Sequence, residues 1–209
     1  MKTIFWNVDT QYDFMRNDED HRGTLFVPGA REIEQNLSLL TDYAKVKKIQ
    51  VVNTGDWHNE DSEELSDKPD FITKFPKHCM IGTRGAEFVP ATNPESPYVV
   101  DWRATSIELE NVAKARNIIL YKDKFGAFQG TKYASAVVQA ISPQRAIVYG
   151  VATNVCVDFA VIGLLERKVE VYAVTDAMKE LPNIPLPYEA WKELGAKLVT
   201  TKEILEGRI

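Results

Sequence analysis

The sequence predicts a three-layer α/β/α sandwich built on a mostly parallel, six-stranded sheet. Three observations carry that expectation. Short runs rich in β-branched and aromatic residues recur along the chain, and segments with helical periodicity separate most of them. The runs are nearly continuous in apolar character rather than alternating, as parallel strands covered on both faces must be. With no repeat, low-complexity tract or linker in 209 residues, the chain reads as one domain over 1–209.

The first strand is TIFWNVD (3–9) and the second IQVVNT (49–54). Between them Ile33, Leu37, Leu40 and Ala44 recur at intervals of four, three and four, giving one apolar stripe on a helix within 29–48. Residues 55–100 break the rhythm, with abundant Gly, Pro, Asp and Asn and no period. Long irregular loops in compact domains are usually functional or disordered, and this one holds two of the three histidines, which favours function. A helix over 105–116 leads to the strand NIILYK (117–122). A helix over 131–141 then leads to RAIVYGV (145–151), and one over 158–167 to VEVYAV (169–174). PYEAWKEL (187–194), the strand AKLVT (196–200) and TKEILEG (201–207) finish the alternation, which implies right-handed crossovers.

Composition narrows the function classes. With 44% hydrophobic and 26% charged residues, the chain has an ordinary soluble globular balance. A net charge of −5 and an isoelectric point near 5.3 argue against nucleic acid or an acidic membrane surface as partner. No apolar stretch approaches the ~20 residues of a membrane span, and MKTIFWNVDTQYDF is a poor signal peptide. Two cysteines make no disulfide framework. The expectation is a reducing, cytoplasmic setting in which a thiol stays available. The oligomeric state, monomer or homo-oligomer, is left open.

In parallel α/β sheets ligands bind beyond the carboxyl ends of the strands. Asp9 ends the first predicted strand, Asp56 follows the second, Lys122 ends the third, and Cys156 follows the fourth where a helix begins. Each has an innocent reading. An aspartate after a strand often caps a helix, a terminal lysine is usually solvated, and a lone cysteine is commonly a small buried apolar residue. Together they make coherent chemistry. A thiolate beside an ammonium and a helix N-terminus has a depressed pKa and attacks carbonyl carbon, while a carboxylate carries the proton. Cys156 is therefore the nucleophile candidate ahead of Cys79, which stands in the irregular loop beside His78. Asp56 and His58, two apart on an extended segment, can face the same way. With His78 they make a mixed N/O metal site about as plausible as a hydrogen-bonded loop.

These residues resemble the isochorismatase-like cysteine hydrolases, and within them the nicotinamidases. VDTQYDF resembles the family's V-D-x-Q-x-D-F, KDKFGAF its K-x-x-[YF]-[SG]-A-F, and GVATNVCV its G-[VI]-x-T-[DN]-x-C-V. FPKHCMIGTRGAEF resembles the nicotinamidase segment W-P-x-H-C-x-x-G-T-x-G-A-x-F, and the four matches stand in the family's order from residue 8 to residue 157. The resemblance implies a catalytic triad of Asp9, Lys122 and Cys156, with an oxyanion hole from the backbone of Ala152 and Cys156. It also implies a cis peptide between Val151 and Ala152. It implies one divalent metal ion, zinc first, with iron or manganese as alternatives, held by Asp56, His58, Glu64 and His78. Glu64 stands where many nicotinamidases carry histidine, and Glu63 and Asp67 are close enough to compete. Phe14, Phe75 and Phe128 would wall the substrate ring, Phe75 replacing the motif's tryptophan. Residues 92–116 read as an insertion near the active-site rim.

The activity implied is hydrolysis of nicotinamide to nicotinate and ammonia through a cysteine thioester. The alternative is a metal-independent relative acting on isochorismate or an N-carbamoyl or ureido compound, with Asp56 and His58 structural. A catalytically silent binding protein is disfavoured, because it would have no chemical need for Asp9, Lys122 and Cys156 together.

Overall fold

The computed structural model describes all 209 residues. Seven strands form one sheet: β1 (Thr3–Val8), β2 (Gln50–Asp56), β3 (Tyr98–Val100), β4 (Asn117–Lys122), β5 (Arg145–Val151), β6 (Glu170–Lys179) and β7 (Lys197–Val199). Their order is β3-β4-β2-β1-β5-β6-β7, and every pairing is parallel. The larger helices are α2 (Glu34–Val46), α3 (Leu109–Lys114), α5 (Ala134–Ile141), α6 (Cys156–Glu166), α7 (Tyr188–Glu193) and α8 (Thr201–Leu205). Two one-turn helices, α1 (Tyr12–Met15) and α4 (Ala127–Gly130), sit in loops.

The period-two alternation of the strands sorts the core into two layers. Ile4, Trp6, Val8, Val52, Ile118, Leu120, Ala146 and Val148 face one side, against α3, α5, α6 and Trp191 of α7. Phe5, Val51, Ile147, Tyr149 and Val174 face the other, against Leu37, Leu40 and Ala44 of α2 and Ile204 of α8. The stripe read from the sequence is thus the buried face of α2, preceded by a 3-10 turn at Ala30–Ile33.

Three expectations need correction. The sheet has seven strands rather than six, and it is wholly parallel. The strand that was missed, β3, spans only three residues after Pro97, is half-exposed, and is too short to show a period. Residues 92–116 are accordingly no insertion: they supply this edge strand and the crossover helix α3, tied inward by a 2.8 Å bond from the Trp102 indole N–H to the Trp57 carbonyl. The helix expected over 131–141 begins only at Ala134, because Thr131 is extended (φ −147°) where it closes α4.

At the centre, β5 lies so near β1 that a Cβ on Gly150 (φ +123°) would fall 2.1 Å from the Val8 carbonyl oxygen. Only glycine fits there. The β5–β6 register shifts between Val148 and Gly150, and β6 runs on to Lys179, whose carbonyl receives the Thr153 N–H at 2.8 Å. This ties down the turn between β5 and α6.

Leu37→Ala, at a fully buried position, should lower unfolding free energy in urea by about 2–5 kcal/mol. Leu39→Ala on the same helix, 41% exposed, should cost well under half as much. Equal losses would place the wrong face of α2 on the sheet.

Candidate active site

The carboxyl ends of β1, β2 and β4 bring Asp9, Asp56 and Lys122 together, and the turn after β5 adds Cys156 as the first residue of α6. Asp9 departs from the strand with φ +48°, its N–H bonded to Thr54 O at 3.1 Å and its Oδ1 accepting the Thr54 hydroxyl at 2.7 Å. Lys122, 1% exposed, is the hub. Its Nζ lies 2.9 Å from Asp9 Oδ2, pairs with Asp56 Oδ1, donates to Lys124 O at 3.1 Å and stands 4.0 Å from Cys156 Sγ.

The electrostatics follow from burial and proximity. Burial, reinforced by the like charge of Asp56, lifts the Asp9 carboxyl above its usual range although Lys122 pulls it down. Burial opposes ionisation of Asp56 too, yet Lys122 first and the two neighbouring imidazoles after it hold its carboxyl well below that range. The Cys156 thiol was expected to be depressed. Burial instead pushes it well up, with Lys122 opposing and the Asp9 carboxylate adding to the rise. The candidate nucleophile therefore rests as a thiol next to a carboxylate of raised pKa, and the ammonium would favour the thiolate once the proton has moved. The N–H groups of Ala152 and Cys156, either side of the turn, donate to no group in the protein, and the Val151–Ala152 peptide is cis.

A second cluster adjoins the first. The extended segment after β2 pairs with the Cys79–Ile81 segment through His58 N–H to Cys79 O (3.1 Å) and Ile81 N–H to His58 O (2.9 Å), which brings His58 and His78 together. Their Nε2 atoms lie 3.7 and 3.5 Å from Asp56 Oδ2. Each Nδ1 is anchored from behind, His58 by Asp123 Oδ1 and His78 by Pro76 O, both at 2.8 Å. Anchoring Nδ1 is how proteins aim a histidine at a metal. Asp56, His58 and His78 thus form a buried three-residue set able to grip a cation.

Glu64 stands apart from that set. It is buried, Oε1 accepts the Phe125 N–H at 3.1 Å, and burial with the nearby Asp56 charge raises its carboxyl. Its competitors are elsewhere: Glu63 pairs with Lys124 on the surface at 3.0 Å, and Asp67 is exposed. The buried His58 Nε2 and Glu64 Oε2 have no hydrogen-bond partner. An unpaired His58 Nε2 beside the Asp56 carboxylate and the His78 imidazole is what a divalent cation would satisfy, so these residues fit one. Burial works against charging His58, but Asp123 and Asp56 lift its pKa to about 9, so cation and proton compete for Nε2.

Both clusters open on one cavity of about 770 Å³, with Cys156, Ala152, Asp56 and His78 in its wall and an otherwise mainly apolar lining. Phe14 and Phe75 line it. Phe128 does not: half-buried, it stacks on Trp6 (5.9 Å between rings) under the Arg167 guanidinium and against Gly163, away from the cavity. Phe125, three residues earlier in the same motif, is the wall instead, edge-on to Phe75 at 5.1 Å. Cys79, fully buried with φ +43°, is not in the wall of this cavity, and burial pushes its thiol well up.

The isochorismatase domain model matches residues 3–203. The chain belongs to the isochorismatase family. Among its relatives in the family, the nicotinamidase/pyrazinamidase of Mycobacterium tuberculosis is 28% identical over 158 residues, 72% of each chain. The nicotinamidase of Acinetobacter baylyi is 25% identical over 74% of this chain and 76% of its own. The zinc complex of Pyrococcus horikoshii pyrazinamidase superposes with TM-score 0.73 at 26% identity, covering 96% and 99% of the two chains.

Two polar residues of this isochorismatase domain escaped the sequence reading although they stand in its first motif. Gln11 exchanges two bonds with the backbone of Asp56, Nε2 to O and N–H to Oε1, each 2.7 Å. Asp13 accepts the Cys79 N–H at 2.7 Å and pairs with His21, also at 2.7 Å, holding the loop that carries His78. Asp123, behind His58, was hidden because nothing in sequence spacing marks a carboxylate that acts through another residue.

Iodoacetamide should label Cys156, at the cavity wall, well before Cys79. In Lys122→Met the loss of the ammonium raises the thiol pKa further, so labelling should need higher pH. Faster labelling at lower pH in that variant, read by mass spectrometry, would contradict the charge assignment.

Proposed function

We propose that this isochorismatase-family hydrolase is a nicotinamidase, converting nicotinamide to nicotinate and ammonia with a cysteine nucleophile and one divalent metal ion, zinc foremost. One observation carries the reading: a buried carboxylate–ammonium–thiol group and a two-histidine set share Asp56's neighbourhood and open on one apolar cavity. The likeness to nicotinamidases and to a zinc-bound pyrazinamidase supports it.

The chemistry balances on this chain's own groups. The Cys156 thiol gives its proton to Asp9, whose raised carboxyl pKa makes the transfer less uphill. Lys122, 4.0 Å from the sulfur, stabilises the thiolate. The thiolate adds to the amide carbon, and the N–H groups of Ala152 and Cys156 take the oxyanion. Asp9 returns the proton to nitrogen, the C–N bond breaks, and ammonia leaves. Asp9 then draws a proton from water, which attacks the thioester; the C–S bond breaks, Asp9 returns that proton to the Cys156 sulfur, and the acid leaves as nicotinate with its proton lost to solvent. Asp56, His58 and His78, with the unpartnered Glu64 Oε2 as fourth donor, would hold the metal. When bound, it supplies a Lewis acid that holds the pyridine nitrogen. Phe14 and Phe75 pack on the ring beside His78, 5.7 and 6.4 Å from the imidazole.

Benzamide, which lacks the ring nitrogen, should be a far poorer substrate than nicotinamide. Glu64→Ala should lower both metal content and nicotinamide hydrolysis while leaving Cys156 reactive to alkylation. Protein that takes up no metal and treats the two amides alike would fail this reading in favour of a metal-independent hydrolase of the family. Asp9→Asn should cut turnover by about 10²–10⁴-fold with substrate binding largely kept. Near-normal turnover would remove Asp9 from the acid–base role.

A further inference from the structure

The cavity is larger and greasier than a single-ring amide needs. At about 770 Å³ it falls within the roughly 300–1,000 Å³ of sites that enclose drug-sized ligands. Its ionisable groups gather at the buried end, around Cys156, Asp56 and His78, which are 8%, 2% and 2% exposed, while the neutral Thr24 and Asn154 are the only polar side chains nearer solvent. From there an aromatic path runs outward. His78 meets Phe75, Phe75 meets Phe71 at 6.3 Å and Phe125 at 5.1 Å, and Phe125 stacks on Phe159 at 6.4 Å. The path ends at exposed apolar side chains, Phe71, Ile72 and Phe159 on one part of the rim and Ile184 on another. An apolar surface that continues without a break from the thiol to solvent suits a ligand that extends along it.

We propose that the preferred substrates are pyridine carboxamides carrying a large apolar group on the ring, bound with that group along Phe125, Phe159, Phe71 and Ile72. The inference rests on the amidase reading above, with the carboxamide at Cys156 and the ring nitrogen toward His78. Ring positions 1, 3 and 5 diverge at 120°, so position 5 points away from both anchors. A group there meets the apolar wall rather than the polar floor. Phe159 lies one helical turn beyond Cys156 on α6, so wall and nucleophile are held by the same rigid element.

The test compares nicotinamide with 5-phenylnicotinamide on the metal-supplemented full chain, and on the double variant Phe71→Ser/Ile72→Ser. A hydrophobic pocket distinguishes a single methylene by roughly 10–200-fold, so the phenyl compound should show at least about tenfold higher kcat/KM. The ratio of the two kcat/KM values should fall several-fold in the double variant. Dissociation constants of the two amides on Cys156→Ala should show the same order. Hydrolysis of nicotinamide with slower hydrolysis of the phenyl compound overturns this inference alone. Failure to hydrolyse either amide overturns the amidase reading beneath it. A double variant with an unchanged ratio but a smaller sedimentation coefficient would show that the rim serves self-association instead.

Discussion

The ammonium of Lys122 organises this molecule's working end. Taking a lysine out of water costs several kcal/mol unless opposite charges and hydrogen bonds surround it. Here Asp9, Asp56 and the Lys124 carbonyl do so, drawn from the ends of two neighbouring strands and the loop after a third. One positive charge stands among two carboxylates and a thiol. That arrangement pulls Asp56 down, leaves Asp9 raised by its burial, and offers the sulfur a counter-charge only when its proton has gone. The surplus of negative charge, with unpaired nitrogen and oxygen atoms next to it, suits a cation.

The parallel sheet makes the cluster possible. Every strand runs the same way, so the ends of β1, β2 and β4 and the turn after β5 arrive at one edge. The register holds them level: Asp56 pairs with Lys122 directly, and Val8 pairs with Thr54 and Gly150. Short polar ties then fix the loops. Gln11 clamps the backbone of Asp56, Asp13 holds the Cys79 N–H, and Asp123 holds the ring of His58. None of these need touch substrate. They keep the groups that do in place, which is what low-cost catalysis requires of a scaffold.

Much of this was legible before any coordinates. Continuous apolar runs marked the long strands, because burial on both faces leaves no polar positions. The placement rule for parallel sheets picked out Asp9, Asp56, Lys122 and Cys156 by position alone. What stayed hidden has physical reasons. The edge strand at Tyr98–Val100 is too short for a pattern. Phe125 and Phe128 are three apart and chemically alike, and only the packing of Phe128 on Trp6 and Gly163 shows which one is turned from the cavity. A helix N-terminus and a lysine suggested a depressed thiol, whereas burial, which sequence spacing does not reveal, outweighs both. Glu64 followed the metal pattern in order, but its Oε1 is committed to Phe125 N–H.

The account centres on covalent catalysis by Cys156, and trapping with hydroxylamine tests it most directly. On the proposed mechanism, metal-supplemented protein turning over nicotinamide would form a thioester after ammonia has left, so added hydroxylamine should intercept it. Nicotinohydroxamate should then replace nicotinate in proportion to hydroxylamine, with ammonia release unchanged. Nicotinate as the sole product at every hydroxylamine concentration, at an unaltered rate, would mean that water attacks the amide directly and that Cys156 is not the nucleophile.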